Sequence, residues 1–393
     1  MRKNNRMRKR KSFLVFGSPL IEQDEIDEVV ASLKSGWLGT GPKVQRFEQM
    51  FQRYKGARYA MAVNSCTAAL HLAMLALEIG PGDEVIVPAM TFAATANAVI
   101  HAGGTPVFVD CEKDTMNLDP KDIESKITSK TRAIVPVHFA GRPCHMEKIL
   151  DIAKRYNLRI VEDAAHAIET EYHGKKAGTF GELGCFSFYV TKNIVTGEGG
   201  MVVTDNEEYA NKIKVLALHG MSKDAWKRFS DEGYKHYKVI YAGYKYNMMD
   251  IQAAIGIHQL PRVNKYWRRR EEIFRRYNEA FEALPLFTPA PVEPDTKHAY
   301  HLYTLLLDID RLKIKRDEFL DEMTKRNIGV GVHYIALHLH PYYQKTFGYK
   351  RGDFPIAEWI SDRTVSIPLS AKLTDEDVEY VIMAVGEILK DKL

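Results

Sequence analysis

The stretch FSFYVTKNIVTGEGGMVVTD, residues 186–205, places one lysine, Lys192, directly after an apolar run typical of a buried strand. Polar, glycine-rich backbone follows this lysine at once. Upstream, RIVEDAAHA, residues 159–167, ends a second apolar run on Asp163. Pyridoxal phosphate (PLP) chemistry requires such a pair, because the lysine forms a Schiff base with the aldehyde and the carboxylate keeps the pyridine nitrogen protonated. The two strand ends therefore predict a PLP site.

Short apolar runs alternate with helical patterns between residues 59 and 204. Most of the runs lack polar alternation, which indicates strands buried on both faces of a sheet. The predicted strands are YAMAV (59–63), EVIVP (84–88), TPVFVD (105–110), AIVPVHF (133–139), LRIVED (158–163), CFSFYV (185–190) and GMVVT (200–204). This pattern predicts an α/β domain with a mainly parallel, seven-stranded sheet, whose ligand binds at the carboxyl ends of the strands.

The pattern changes in the last third of the chain to that of a smaller α+β domain. We predict strands in HLYTLLLDID (301–310) and GVGVHY (329–334), and helices in RDEFLDEMTKRN (316–327) and EDVEYVIMAVGEILK (376–390). The chain therefore divides into a basic tail over residues 1–15, expected to be disordered, a large PLP-binding domain over 16–260 and a small domain over 261–393.

Composition limits the classes of function. The chain has 393 residues and a net charge of +4, too small to indicate general attraction to nucleic acid, although basic residues cluster in MRKNNRMRKRK (1–11). No run approaches the roughly 18 apolar residues of a membrane span. The four cysteines lack CxxC spacing and HLHP (338–341) lacks the spacing of a zinc site. We expect a cytoplasmic protein with free thiols and no metal.

The motifs EDAAHA, Lys192 followed by GEGG, and GYKYNMMDIQAAIG (243–256) resemble the DegT/DnrJ/EryC1/StrS family of sugar aminotransferases. The resemblance extends from GSPLIEQDEIDEV (17–29) to SDRTVSIPLSAKLTDEDVEYV (361–381). It implies the fold-type-I aminotransferase architecture, PLP as cofactor, and transfer of an amino group from an amino acid, glutamate in the family, to a nucleotide-linked keto sugar. Within the family the chain most resembles the UDP-4-amino-4-deoxy-L-arabinose aminotransferase branch.

The resemblance also implies roles for individual residues. Lys192 would carry the cofactor and move protons, Asp163 would pair with the pyridine nitrogen, and His166 would contact the cofactor near its phenolic oxygen. Phe92 would stack on the cofactor ring. The residues implied for the phosphate are Ser65, Cys66, Thr67 and Ser187. Taken alone, the stretch from Ser65 to Thr67 is equally typical of an ordinary capped helix.

Two further groups of residues are candidates through the same resemblance. Lys245 and Asn247 stand where the family sends a residue into the neighbouring subunit to reach the cofactor phosphate, which implies a homodimer with shared active sites. Thr40 lies in SGWLGTGPKVQRFE (35–48), which resembles a loop that meets the substrate. His333 and His338 lie in GVGVHYIALHLHPYY (329–343), which resembles the C-terminal segment that reaches the site.

Two other functions remain open at this stage. Some relatives dehydrate a deoxysugar on the same scaffold, but they carry histidine in place of the lysine, and this chain has Lys192. A regulatory or nucleic-acid-binding protein that uses the basic tail would be favoured by a degenerate site, whereas Asp163 and His166 are both present. Position 4 of a UDP-linked sugar is the expected target, and GDP- and dTDP-linked sugars and amination at position 3 occur on the same scaffold.

Overall fold

The computed structural model describes residues 9–222 and 237–390, together with Lys392. The helices within these residues are α1 (Gln23–Ser35), α2 (Pro42–Lys55), α3 (Cys66–Ala76), α4 (Ala93–His101), α5 (Pro120–Ile123), α6 (Met146–Tyr156), α7 (Glu207–Leu216), α8 (Asp250–Gln259), α9 (Val263–Phe281), α10 (Arg316–Lys325), α11 (Pro341–Phe347), α12 (Pro355–Ser361) and α13 (Asp375–Lys390).

The strands form three sheets. They are β1 (Tyr59–Val63), β2 (Glu84–Pro88), β3 (Thr105–Val109), β4 (Thr131–Ile134), β5 (Arg159–Asp163), β6 (Glu171–Tyr172), β7 (Lys175–Lys176), β8 (Leu183–Ser187), β9 (Gly200–Thr204), β10 (Leu286–Phe287), β11 (Thr296–Lys297), β12 (Tyr303–Leu307) and β13 (Thr364–Ile367). The bounds of β1, β2 and β9 are those predicted from the sequence. The other four strands of the seven-stranded sheet, β3, β4, β5 and β8, overlap the predicted runs.

The central sheet has seven strands in the order β1-β9-β8-β5-β4-β2-β3. The pairs from β8 through β5, β4 and β2 to β3 are parallel, whereas β9 runs antiparallel to both β1 and β8. This confirms the predicted α/β fold with a mainly parallel sheet. Because β5 and β8 are adjacent and parallel, their carboxyl ends bring Asp163 and the residues after Ser187 to the same edge.

The small domain is built on the sheet β10-β12-β13 and helices α10 and α13. The prediction of a strand at residues 329–334 was wrong, since this segment makes only an isolated bridge between Gly331 and Ser366. Its backbone then leaves the sheet edge, so that His333 and Tyr334 can turn toward the large domain. The predicted boundary at residue 260 falls at the 3-10 turn Leu260–Arg262, before α9.

Residues 10–15 belong to the small domain rather than to a free tail. Leu14 is 8% exposed, donates its N–H to Asn327 O at 2.8 Å and accepts from Gly329 N at 2.8 Å. The Arg10 N–H donates to the Tyr380 hydroxyl at 3.1 Å. The expectation of a disordered tail was wrong for this segment because Leu14 packs in the small-domain core and the backbone is hydrogen-bonded to it. Residues 1–8 lie outside the described part.

Buried side chains cover both faces of the central sheet. Ala69, Leu72 and Ala73 of α3 are fully buried in one of its hydrophobic layers. All four cysteines are unpaired and buried. No helix in residues 9–222 or 237–390 is long and apolar enough to cross a membrane.

Candidate active site

A cavity of about 370 Å³ opens where the carboxyl ends of β5 and β8 meet the N-termini of α3 and α4. Nine of the residues expected from the sequence line it: Ser65, Cys66, Thr67, Phe92, Asp163, His166, Ser187, Lys192 and His333. Segments distant along the chain supply them, so the fold brings together the two strand ends that the sequence singled out.

Lys192 lies on the turn that follows β8, and its backbone N–H donates to Tyr189 O at 2.8 Å. Burial lowers the pKa of Lys192 from 10.5 to about 8, although the nearby Cys66 and Asp163 act in the opposite direction. Lys192 is half-buried. An amine with a lowered pKa is more often unprotonated near neutral pH than an ordinary lysine is, and the unprotonated form is the nucleophile.

Asp163 ends β5 and is 5% exposed. Its Oδ2 accepts a hydrogen bond of 2.8 Å from the Thr95 hydroxyl, and its Oδ1 accepts from Ala165 N at 3.1 Å. Thr91 Oγ1 lies 2.9 Å from Thr95 Oγ1. Since the Thr95 proton points to the carboxylate, the Thr91 hydroxyl donates to Thr95. Burial raises the pKa of Asp163, and these hydrogen bonds and the charge of Lys192 oppose the shift.

His166 follows β5 on a tight turn and is 7% exposed. Its Nδ1 accepts the backbone N–H of Ala140 at 3.3 Å, which places the imidazole proton on Nε2. That nitrogen therefore donates to the Tyr334 hydroxyl at 3.3 Å. Burial, reinforced by the charge of Lys192, lowers the pKa of His166 well below 6.5, so the ring is a neutral donor.

Residues 65–67 form the start of α3. The Ser65 hydroxyl caps the helix by accepting from Ala68 N at 3.1 Å, which leaves the N–H groups of Cys66 and Thr67 ahead of the first helical turn. Gly200 packs against this turn, and a Cβ atom there would lie 2.5 Å from the carbonyl carbon of Ser65. The last glycine of GEGG, Gly200, is therefore needed for close approach at a helix end suited to an anion.

Aromatic side chains form the other wall of the cavity. Phe92, just before α4, is 60% exposed, and its ring centroid lies 6.0 Å from that of Tyr334. His333 Nδ1 lies 2.8 Å from the Ser366 hydroxyl, and its ring stacks on Phe16 at 5.6 Å. Burial lowers the pKa of His333 to about 4.

Four expected residues lie elsewhere. Thr40 and Asn247 line a second cavity of about 500 Å³, in which Asn247 Nδ2 donates to Thr40 Oγ1 at 2.6 Å. Lys245 Nζ donates to Asn247 Oδ1 at 2.6 Å. His338 is fully buried, and its Nε2 lies 2.9 Å from a carboxylate oxygen of Glu358. The structure places His338 in the packing between α11 and α12 rather than at the cavity.

Thr91 and Tyr334 also line the cavity, and Thr95 contacts Asp163 from α4; none of the three was assigned a role from the sequence. Thr95 stands four residues after Thr91, and their hydroxyls meet at the start of α4. That spacing was the available signal for the two threonines. No feature of the sequence indicated a role for Tyr334, because Tyr334 and His166, which are in contact, are 168 positions apart in the chain. Among the described residues, no group of three His, Cys, Asp or Glu side chains is arranged to hold a metal ion.

These side chains fit PLP. An amine with a lowered pKa and a carboxylate that accepts from the Thr95 hydroxyl and a backbone N–H face one cavity, and a capped helix start with free N–H groups adjoins them. On a mainly parallel sheet of this order, they define a fold-type-I PLP-dependent aminotransferase.

The chain belongs to the DegT/DnrJ/EryC1/StrS aminotransferase family, whose sequence model matches residues 19–386. It is 51% identical over 386 residues to the spore coat polysaccharide biosynthesis protein SpsC of Bacillus subtilis. This match covers 98% of this chain and 99% of SpsC. It is 55% identical over 383 residues to the uncharacterized protein MJ1066 of Methanocaldococcus jannaschii, with 97% and 99% covered.

A solved structure shares the same fold. Helicobacter pylori PseC, an aminotransferase involved in the biosynthesis of pseudoaminic acid, superposes with a TM-score of 0.89 at 29% identity over 97% of this chain and 100% of PseC. The protein is thus a PLP-dependent transaminase of a sugar aminotransferase family.

Proposed function

We propose that the protein transfers the amino group of L-glutamate to a nucleotide-linked keto sugar, at C4 of a UDP-4-keto sugar. The observation that carries the proposal is the presence of Lys192 and Asp163 in one cavity with a helix start suited to a phosphate. The names of two relatives, a spore coat polysaccharide protein and a pseudoaminic acid aminotransferase, support a sugar as acceptor. The UDP linkage and C4 rest on the sequence resemblance to the arabinose branch.

PLP supplies an electron-accepting ring and a carbonyl carbon that carries the amino group between the two substrates. In the proposal, Lys192 Nζ removes the proton from the Cα of glutamate and later delivers one to C4 of the sugar. Asp163 would pair with the ring nitrogen, and the Thr95 hydroxyl favours the ionised form of that carboxylate. His166 would contact the cofactor near its phenolic oxygen, and Phe92 would stack on its ring.

The phosphate would be held by the start of α3 and by Ser187. The N–H groups of Cys66 and Thr67 and the positive end of the helix dipole are suited to a dianion. The close contact of Gly200 with Ser65 keeps this turn in place. Cys66 would act through its backbone N–H, so the role does not require a particular side chain at this position.

We also propose that the protein is a homodimer with shared active sites. Lys245 and Asn247 lie outside the cavity of their own chain and are joined to Thr40 by hydrogen bonds. Large apolar side chains, Trp37, Leu38 and Met249, are exposed around them. A second copy that covers this surface would bury these apolar side chains. Lys245 or Asn247 of the first copy would then lie beside the phosphate-binding turn of the second copy.

The regulatory alternative and the dehydratase alternative are less well supported. Lys192 disfavours the dehydratase, which uses histidine, and the assembled cavity disfavours a degenerate regulator. We include a cytoplasmic location in the proposal, because all four cysteines are unpaired thiols.

The test is an amination assay of the purified, PLP-loaded protein with glutamate and a panel of UDP-, GDP- and dTDP-4-keto sugars, read by mass. The proposal expects the aminated product from a UDP-linked member. Product from a GDP- or dTDP-linked sugar alone would overturn the UDP assignment. Product from 3-keto sugars alone would overturn the assignment of C4.

A further inference from the structure

A buried polar group lies beneath the lysine turn, outside the set of residues given a role above. Asn193, next to Lys192, donates from Nδ2 to Glu169 Oε2 at 2.7 Å and to Ala299 O at 2.9 Å. Both amide protons are thus engaged, so Asn193 Oδ1 must accept. His301 Nδ1, 2.9 Å away, donates to it.

The same group is anchored on the helix that joins the two domains. Glu169 Oε1 accepts from the guanidinium of Arg270 on α9, and this ion pair is almost fully buried, with side chains 0% and 3% exposed. Burial raises the pKa of Glu169, and Arg270 and Asn193 oppose that shift. Asn193 therefore connects the lysine turn to three other parts of the chain. Glu169, which follows β5, links it to Arg270 on α9, and His301 links it to the entry of the small domain.

His301 also connects the group to the wall of the cavity. Its ring centroid lies 4.3 Å from that of His166 at an interplanar angle of 37°. Burial, with the nearby His166, lowers the pKa of His301 well below 6.5, so the ring is neutral and its one proton is on Nδ1. A displacement of Asn193 would therefore move both the lysine and the support of His166.

We propose that Asn193 is a positioning residue that, with Glu169 and His301, holds the Lys192 turn in its buried conformation. The inference rests on the proposed role of Lys192 as the reactive amine. It assigns Asn193 no contact with substrate or cofactor: the amide acts by fixing the backbone that carries the amine.

The chain offers a matched control. Gln259 is 2% exposed, and its Nε2 donates to Leu20 O at 2.9 Å and to Glu25 Oε1 at 2.7 Å. Glu25 in turn pairs with Arg262. This arginine–glutamate–amide chain has the same chemistry as that of Arg270, Glu169 and Asn193. Its hydrogen bonds join α8 to the N-terminal segment and α1 and do not reach the lysine turn, although Gln259 and Lys192 line the same small cavity.

The test measures the titration of Lys192 in the full-length protein freed of cofactor, by acetylation rate against pH with peptide mass spectrometry. Wild type is expected to titrate near pH 8. Lys192 is half-buried, and Asn193→Ala should release its turn and expose the amine further, which raises the midpoint by about one unit, since hydration favours the charged form. Glu169→Gln keeps an acceptor for Asn193 and should retain most of the wild-type midpoint. Gln259→Ala removes no hydrogen bond to the lysine turn and should shift the midpoint less than Asn193→Ala does.

An unchanged midpoint in Asn193→Ala, or an equal shift in Gln259→Ala, would overturn the proposal. If Asn193→Ala does not fold, His301→Phe keeps the ring on His166 and removes one of the three bonds, and a smaller shift in the same direction is expected. No shift in His301→Phe would then count against it.

A second readout separates this inference from the proposed function. Borohydride reduction of the PLP-loaded wild type should attach the cofactor to Lys192, as seen by peptide mass. Attachment to another lysine would overturn the role of Lys192 itself. With attachment at Lys192, the rate of the glutamate half-reaction is expected to fall about tenfold or more in Asn193→Ala at saturating glutamate. Equal rates in the Asn193→Ala and Gln259→Ala variants would contradict positioning.

Discussion

The hydroxyl of Thr95 donates a 2.8 Å hydrogen bond to Asp163 Oδ2, although the two residues are 68 positions apart. Thr95 lies in the first turn of α4, and Asp163 is the last residue of β5. The bond joins two elements at the floor of the cavity. Because burial raises the pKa of Asp163, a donor aimed at its carboxylate favours the ionised form that a protonated ring nitrogen needs.

Replacing Thr95 by Val should therefore impair the reaction with little change in shape. A hydrogen bond to a charged group contributes about 1.5 to 3 kcal/mol, so we expect turnover to fall about tenfold or more. Steady-state amination measures the effect. Thr95→Ser retains the hydroxyl and should stay within a few-fold of wild type. Wild-type turnover in Thr95→Val would show that the Asp163 charge does not depend on this bond.

Lys192 should destabilise the cofactor-free protein at neutral pH. Its pKa falls from 10.5 to about 8 on folding, so the unfolded chain binds the proton more tightly. At about 1.4 kcal/mol per unit, folding with a protonated Lys192 costs about 3 kcal/mol below pH 8, and this cost fades as the pH rises toward 10.5.

The Lys192→Met variant should lose this dependence and all transaminase activity. Urea unfolding of the cofactor-free proteins at pH 7 and pH 9.5 tests the first statement. We expect the stability of wild type to rise relative to that of the variant between the two values. If the difference in free energy of unfolding between the two proteins were the same at both pH values, the lowered pKa of Lys192 would be contradicted.

Sharing of active sites between subunits can be tested by mixing two inactive variants. Lys192→Ala lacks the reactive amine, and Asn247→Ala lacks the residue expected to reach the partner's phosphate site. In a mixed dimer, one site would contain both defects and the other neither. We expect recovery of up to about a quarter of wild-type activity after random reassociation. Absence of rescue in this mixture and in a matching one with Lys245→Ala would refute the cross-subunit assignment.

His333 should act as a neutral hydrogen-bonding group. Its pKa of about 4 means that it loses its charge as the pH rises through 4 and is neutral above about pH 5. We expect His333→Gln to raise KM for the keto sugar and leave KM for glutamate within a few-fold. Between pH 5 and 9, the pH profile of kcat/KM for the sugar should have the same shape in His333→Gln as in wild type. If an acidic or basic fall of the wild-type profile disappears in the variant within that range, His333 titrates during the reaction.

The sequence predicts the large domain well because its signals are local. Runs such as those at residues 59–63, 84–88 and 200–204 are apolar in their interior and are followed by turn residues, so their bounds agree with the structure. The side chains that carry the chemistry follow such strand ends directly. Parallel neighbouring strands then bring Asp163 and the lysine turn together.

The parts that escaped prediction depend on contacts between distant segments. Asn193 and His301 are 108 positions apart, and nothing beside either residue indicates the other. Leu14 joins the small-domain core through a bridge to Ile328, so a stretch next to a basic run gave no sign that it would be ordered. Gly331 makes one bridge instead of a strand, because the backbone turns to bring Tyr334 over His166.

Transfer of nitrogen from glutamate to a UDP-4-keto sugar tests the central claim most directly. The PLP-loaded protein is incubated with ¹⁵N-glutamate and the keto sugar, and the nucleotide sugar is examined by mass spectrometry, with Lys192→Ala as the blank. The account predicts a UDP-amino sugar that carries one ¹⁵N atom, formed by wild type and absent from the blank. A nucleotide sugar that gains no label while PLP remains bound to Lys192 would contradict it.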